Sequence, residues 1–324
     1  MKKRIPYVNE AVAERDFKYY IFDWDDNILH MPTKIRMEHL EENGEWKPVE
    51  VSTATFALVR TDNRHYRPPT AGGWAAAFAN FADDPPPLGE TGGSRIEDEN
   101  NRFIRDTIDA LERVEHGEIP GPSYNALKKT LREGRLFAIV TARGHSPRTI
   151  ESAVRVFIKY ALSDDERAEM MSSLRGYRRW IDGVADGDFG TDAEELDYYL
   201  GMCRYSAVTY KGFRARMAED PIYRDKLASA PSAARPELAK EFAIRDFVEH
   251  VFHMLRRAGQ LGRSVSIGFS DDDAGNVKSV SSFIKEELSK RFEGIKFVVY
   301  DTSDRTLDKG RKVCVSGQRN LPGF

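Results

Sequence analysis

The chain has 324 residues, 40% of them apolar and 31% charged, a composition suited to a soluble globular protein with one large core or a core with insertions. A formal charge of −3 excludes a global electrostatic pull toward nucleic acid or anionic membranes, and no run approaches the roughly 18 apolar residues of a membrane span. The start MKKRIPYVNEAVAERD lacks the apolar stretch of a signal peptide, and Cys203 and Cys314 form neither a metal-ligand pair nor a disulfide framework, so a reducing cytoplasm is the natural location.

The first segment, 17–23 (FKYYIFD), is nearly continuous in apolar residues, as a strand buried on both faces requires. The stretch 31–62 reads as short strands, with a turn at Glu42-Asn43-Gly44 and alternation through Val49, Val51, Thr53 and Thr55. Residues 83–93 (DDPPPLGETGG) are too rich in Pro and Gly for regular structure and predict a loop. A charged helix follows over 99–116, then a second over 123–133 that Gly134 stops. The next buried strand is 135–141 (RLFAIVT). Ser146 and Pro147 open a helix whose Ile150, Ala153, Val154, Phe157, Ile158 and Ala161 share one face. Residues 163–235 are irregular in pattern, helical in patches and rich in Arg and Tyr. A helix over 236–258 leads to a strand at 264–269 (SVSIGF), a helix over 276–292, a strand at 295–300 (IKFVVY) and a last edge strand at 312–316. Strands alternating with helices predict an α/β fold built on a doubly wound parallel sheet.

In open sheets of this kind ligands bind outside the carboxyl ends of the strands. The first end reads Asp23-Trp24-Asp25-Asp26-Asn27-Ile28-Leu29. Three carboxylates so close repel one another, so a cation or a hydrogen-bond network should accompany them. Asp23 and Asp25 flank one residue and can share one small volume, which suits a nucleophile beside a general acid/base. A calcium loop is excluded, because Ile28 stands where its glycine belongs and Lys34 where its bidentate Glu belongs. An ordinary acidic turn is the bland alternative. The second end, Thr141-Ala142-Arg143-Gly144-His145, offers a hydroxyl and backbone N–H groups to a phosphate; alone it reads equally well as a Thr capping a turn. The third, Ser270-Asp271-Asp272-Asp273, precedes a helix that Asp273 caps, which leaves Asp271 and Asp272 for a metal.

These residues together resemble the haloacid dehalogenase superfamily across 17–29, 122–160 and 236–300. Its first motif, Asp-x-Asp-x-Thr-Leu after an apolar strand, is matched from Asp23 to Ile28 with Asn27 in place of Thr; its strand-terminal Thr is matched by Thr141, and its acidic pair by Asp271 and Asp272. The resemblance implies a Rossmann-like core (1–29, 120–160 and 236–324) carrying two cap-like insertions: 30–119, of mixed strand and helix, and 161–235, mainly helical. It further implies a Mg²⁺-dependent phosphatase. Asp23 would attack phosphorus, and Asp25 would act as general acid and then base. Asp23, Asp25 (through its carbonyl), Asp271 and Asp272 would hold the ion. Thr141, Ala142, Arg143 and a lysine would bind the phosphate. Lys240, near the start of the helix before the third strand end, is the choice for that lysine, with Lys211 in reserve.

The expected substrate is a phosphorylated small molecule, a nucleotide or a nucleic-acid end, with no membrane and no protein partner. Arg175–Trp180 and Tyr210–Arg216 mix basic and aromatic residues, a pattern of nucleic-acid contact, though solvated amphipathic helices explain it better. His30, His145 and His253 lack metal-ligand spacing. Two alternatives remain: a metal- or phosphate-binding protein without turnover, and phosphate transfer to an acceptor other than water.

Overall fold

The computed structural model describes residues 17–83, 101–230, 235–260, 264–304, 307 and 310–316. From β1 (Phe17–Phe22) the chain passes through the acidic turn into a hairpin of β2 (Ile35–Leu40) and β3 (Trp46–Val51). Gly44 turns that hairpin at φ +84°, a conformation that glycine adopts without strain. The helix α1 (Thr53–Val59), the strand β4 (Tyr66–Arg67) and the short α2 (Gly73–Ala77) complete a unit with its own sheet, ordered β3-β2-β4, and its own core of Ile35, Met37, Val51, Ala77 and Phe81.

Next in the chain come α3 (Arg102–Glu115), α4 (Tyr124–Arg132), β5 (Phe137–Thr141), α5 (Pro147–Ala161), α6 (Asp164–Ile181), α7 (Asp192–Met202) and β6 (Arg204–Ala207). Then α8 (Lys211–Glu219), α9 (Pro221–Ser229) and the long α10 (Arg235–Arg257) lead into β7 (Val265–Asp271). The chain closes through α11 (Ala274–Phe283), a π-helical turn at Ile284–Leu288, α12 (Ser289–Arg291), β8 (Ile295–Asp301) and β9 (Arg311–Ser316).

The central sheet is ordered β6-β5-β1-β7-β8-β9, parallel throughout except for β9, and flanked by helices. It is an α/β sheet compatible with a Rossmann-like core. The chain moves outward from β1 to β5 and β6, then returns to build β7 on the other side of β1. The strand order therefore reverses between β1 and β7, and a crevice is expected outside the carboxyl ends of those two strands.

The sequence pattern and the structure part company at three places. Val49 and Val51 do alternate within β3, but Thr53 and Thr55 belong to α1, because the Ser52 side chain accepts the Thr55 N–H and caps a helix there. The stretch 161–235 is mainly helical, as its pattern implies, yet it is not set apart from the core: its four-residue β6 extends the central sheet beyond β5. Likewise α3, which falls within 30–119, packs against α5 and buries Phe103 and Ile104 in the main core. The loop expected at 83–93 lies outside the described residues after Asp83, as does the N-terminal segment. Among the described residues no helix is long and apolar enough to cross a membrane.

Candidate active site

The ends of β1 and β7 are held level by backbone pairing. At the end of β1 the Asp23 N–H donates to the Ser270 carbonyl (3.1 Å), which brings the first acidic turn level with the end of β7. Asn27, with no exposed surface, ties the turn down. Its Nδ2 lies 3.0 Å from the Asp23 carbonyl, 3.2 Å from the Ser270 carbonyl and 3.1 Å from Ser270 Oγ. Its Oδ1 accepts from Thr302 Oγ1 at 2.8 Å, just past the end of β8. A Thr could not reach so many partners. The turn also needs Asp26 at φ +57°, a left-handed conformation that Asp tolerates better than most residues. Gly121 backs it from below: a Cβ there would stand 2.5 Å from the Asn27 carbonyl carbon, so only glycine allows this approach.

Two charged clusters rise from this frame. In the first, Lys240 reaches from α10 to the strand ends, where its Nζ lies 2.6 Å from Asp271 Oδ2 and 3.4 Å from Asp23 Oδ1. All three side chains are buried. Asp271 Oδ1 also accepts from the Asp273 N–H (2.9 Å) and Asn276 Nδ2 (3.1 Å). Burial pushes the Asp23 carboxyl well above the usual carboxylate range, against the pull of Lys240, and the Asp271, Asp272 and Asp25 charges push it further. Burial, with Asp271 and Asp26 nearby, pushes the Asp272 carboxyl up to about 8. Burial opposes the charge on Lys240, but Asp271 and Asp23 outweigh it and hold the ammonium charged.

One ammonium thus serves three carboxylates. With the Asp23 and Asp272 carboxyls pushed toward their neutral forms, a hard divalent cation would take the place of their protons, and the available donors are all oxygens, as Mg²⁺ prefers. The Asp25 carbonyl accepts from the Asn27 N–H at 2.7 Å and retains a second lone pair. Among the described residues no group of three or more His, Cys, Asp or Glu side chains forms a metal cage by itself.

In the second cluster Arg143, 1% exposed, forms a forked pair with Asp25: Nε to Oδ2 at 2.8 Å and Nη2 to Oδ1 at 2.6 Å. Thr141 Oγ1 stands 3.5 Å from Asp25 Oδ2. Nη2 also donates to Thr33 Oγ1 (3.0 Å), and Thr33 in turn donates to Asp106. The guanidinium carbon lies 4.6 Å from the ring centres of both Phe81 and Phe103. Arg143, expected at the phosphate, is therefore engaged with Asp25, and its buried Nη1 has no partner. Ala142 is exposed beside it, and its carbonyl accepts from Thr209 Oγ1 at 3.0 Å.

The other sequence candidates separate cleanly. Lys211 is exposed at the start of α8, whereas Lys240 is buried beside Asp23 and Asp271. Asp273 caps α11 through the Gly275 and Asn276 N–H groups and pairs with Arg60, at the end of α1, at 2.9 Å. His30 bonds Asp26 (2.8 Å), and the buried His145 stacks on Phe103 (4.6 Å between centroids). Of the two basic-aromatic stretches the first is largely neutralised, Arg175 pairing with Asp192, Arg178 with Glu195 and Arg179 with Asp186, whereas in the second Arg216 lies 3.8 Å from Asp246 and Lys211 and Arg214 are exposed. Sequence reading missed Thr33, Phe81, Phe103 and Asp106 around Arg143, and no local pattern marks any of them. Comparison with protein-family models, curated proteins and solved structures found no match for this chain.

Proposed function

We propose that this protein is a Mg²⁺-dependent phosphatase of the haloacid dehalogenase type, cleaving a phosphate monoester through an aspartyl-phosphate on Asp23. The observation that carries the reading is the meeting of Asp23, Lys240 and Asp271 at the carboxyl ends of adjacent strands, where the strand order reverses. Asp23 is the nucleophile because it stands at the tip of a buried strand with Lys240 beside its Oδ1. Lys240 fixes that oxygen and neutralises the equatorial phosphate oxygens as charge develops. Asp25 gives a proton to the leaving oxygen and later takes one from the attacking water. Thr141 and the exposed backbone at Ala142 face the phosphate. Bound by Asp23, Asp271, Asp272 and the Asp25 carbonyl, Mg²⁺ would offset the repulsion between carboxylate and phosphate.

A chromogenic aryl phosphate, assayed with and without Mg²⁺, tests the reading. Hydrolysis that needs the ion and is lost in Asp23→Asn is the expected result. Equal hydrolysis in that variant, or none in the wild type over a broad panel of phosphomonoesters, would overturn it.

A further inference from the structure

The partners of Arg143 fall into two groups. On one side is Asp25, bound through two charge-assisted hydrogen bonds. Everything else that grips the guanidinium comes from residues 30–119: Thr33 from the segment entering β2, Phe103 and (through Thr33) Asp106 from α3, and Phe81 from the end of the small β3-β2-β4 unit. A planar cation packed 4.6 Å from two ring centres is restricted in rotation. Its orientation then dictates that of the carboxylate it holds.

Phe81 is itself stitched to the Arg143 loop. Its carbonyl accepts the Gly144 N–H at 2.7 Å. Two residues on, the Asp83 carboxylate accepts from the Ser146 N–H (2.7 Å) and Thr149 Oγ1 (2.9 Å) at the start of α5. The small unit is thus docked on the loop that carries Arg143. Loosening that dock would move one ring of the clamp without touching Asp23, Lys240 or Asp271.

Resting on the phosphatase reading, we infer that Arg143 is a positioning residue for Asp25, and that the docked first insertion sets its geometry through the Phe81 ring. In the step concerned, an Asp23 oxygen forms a bond to phosphorus while the P–O ester bond breaks. The electron pair of that bond goes to the leaving oxygen, which must gain a proton. Each Asp25 oxygen bonds Arg143 through one lone pair and keeps another, with which the carboxylate takes the proton of the ester monoanion and passes it to the leaving oxygen. A leaving group that is stable as an anion has little need of the proton. A poor one depends on it. Misplacing Asp25 therefore penalises poor leaving groups selectively, whereas general damage to the fold slows all substrates alike.

The test is kcat/KM over a series of aryl phosphates from 4-nitrophenyl to 4-methylphenyl, with Mg²⁺, for the wild type, Phe81→Leu and Arg143→Lys. Both variants are expected to steepen the dependence on leaving-group basicity. In Phe81→Leu the 4-nitrophenyl ester should stay within about twofold of wild type while the 4-methylphenyl ester falls roughly tenfold or more. Slopes that stay parallel to the wild type in both variants would overturn the positioning role. Absence of hydrolysis of every ester by the wild type would instead remove the phosphatase reading beneath it.

Discussion

Asp23 and Asp25 are two residues apart, yet they meet opposite electrostatic surroundings. Asp23 shares the single ammonium of Lys240 with Asp271, and Asp272 adds a further negative charge. Asp25 has a guanidinium of its own, with both carboxylate oxygens bonded. The first cluster sets one ammonium against three carboxyl groups, and under the proposed function Mg²⁺ would complete it. The second pairs one guanidinium with one carboxylate and is set by packing. One acidic turn thus holds two carboxyl groups in different surroundings.

If that contrast is correct, removing Lys240 should do the greatest damage. Lys240→Met leaves Asp23 and Asp271 facing each other without compensation in a buried site. Turnover should fall by roughly a hundredfold or more, and denaturant melts should register a loss of about 3 kcal/mol. A variant as stable and active as wild type would show that the first cluster is not charge-limited.

A smaller effect should come from the ion itself. Under the proposed function Mg²⁺ would bind the folded arrangement of carboxylates and not the unfolded chain, so millimolar Mg²⁺ should raise Tm by roughly 1–3 °C. Asp271→Asn should cancel that rise, and EDTA should bring hydrolysis to background. An unchanged Tm shift in Asp271→Asn would remove this residue from the ion's coordination.

The third expectation concerns pH and the layer behind Arg143. Burial, aided by the Arg143 charge, lowers the His145 pKa from 6.5 to about 2. Between those values the unfolded chain binds a proton that the folded chain does not. The contribution of this group to stability is therefore whole above pH 6.5 and drains away as pH falls toward 2, at up to about 1.4 kcal/mol per pH unit. His145→Phe keeps a ring against Phe103 and should flatten that acid-side slope in denaturation curves measured at pH 7, 6 and 5. An identical slope would place the lost protons elsewhere.

Smallest of all, Arg60→Ala breaks a pair that is half exposed on the arginine side, so the stability cost should stay below about 1 kcal/mol. Asp273 keeps its capping bonds to Gly275 and Asn276. A larger loss in thermal melts would show that α1 is held to the third strand end more firmly than a surface pair allows.

Much of the frame was legible in the sequence because buried parallel strands write themselves as apolar runs. FKYYIFD, RLFAIVT, SVSIGF and IKFVVY became β1, β5, β7 and β8 within a residue or two, and their ends locate Asp23, Thr141 and Asp271. Lys240 could be chosen because a helix running into a strand brings its early turns near that strand's far end. Other features leave no such trace. The strand β6 has four residues, RYSA, and no apolar run, because its place in the sheet comes from pairing with β5 rather than from propensity. The Arg143–Asp25 pair joins residues 118 positions apart, and the Phe81–Phe103 clamp closes only after the insertion docks. Contacts of that kind are consequences of tertiary structure and have no local pattern.

The proposed function requires Asp23 to become covalently phosphorylated. Incubating the protein with an aryl phosphate and Mg²⁺, quenching in acid and mapping the added phosphate by mass spectrometry addresses it directly. We expect a phosphoryl group on Asp23 in the wild type, in larger amount when Asp25→Asn slows its hydrolysis, and none in Asp23→Asn. Phosphate on a different residue, or undiminished turnover in Asp23→Asn, would contradict the account.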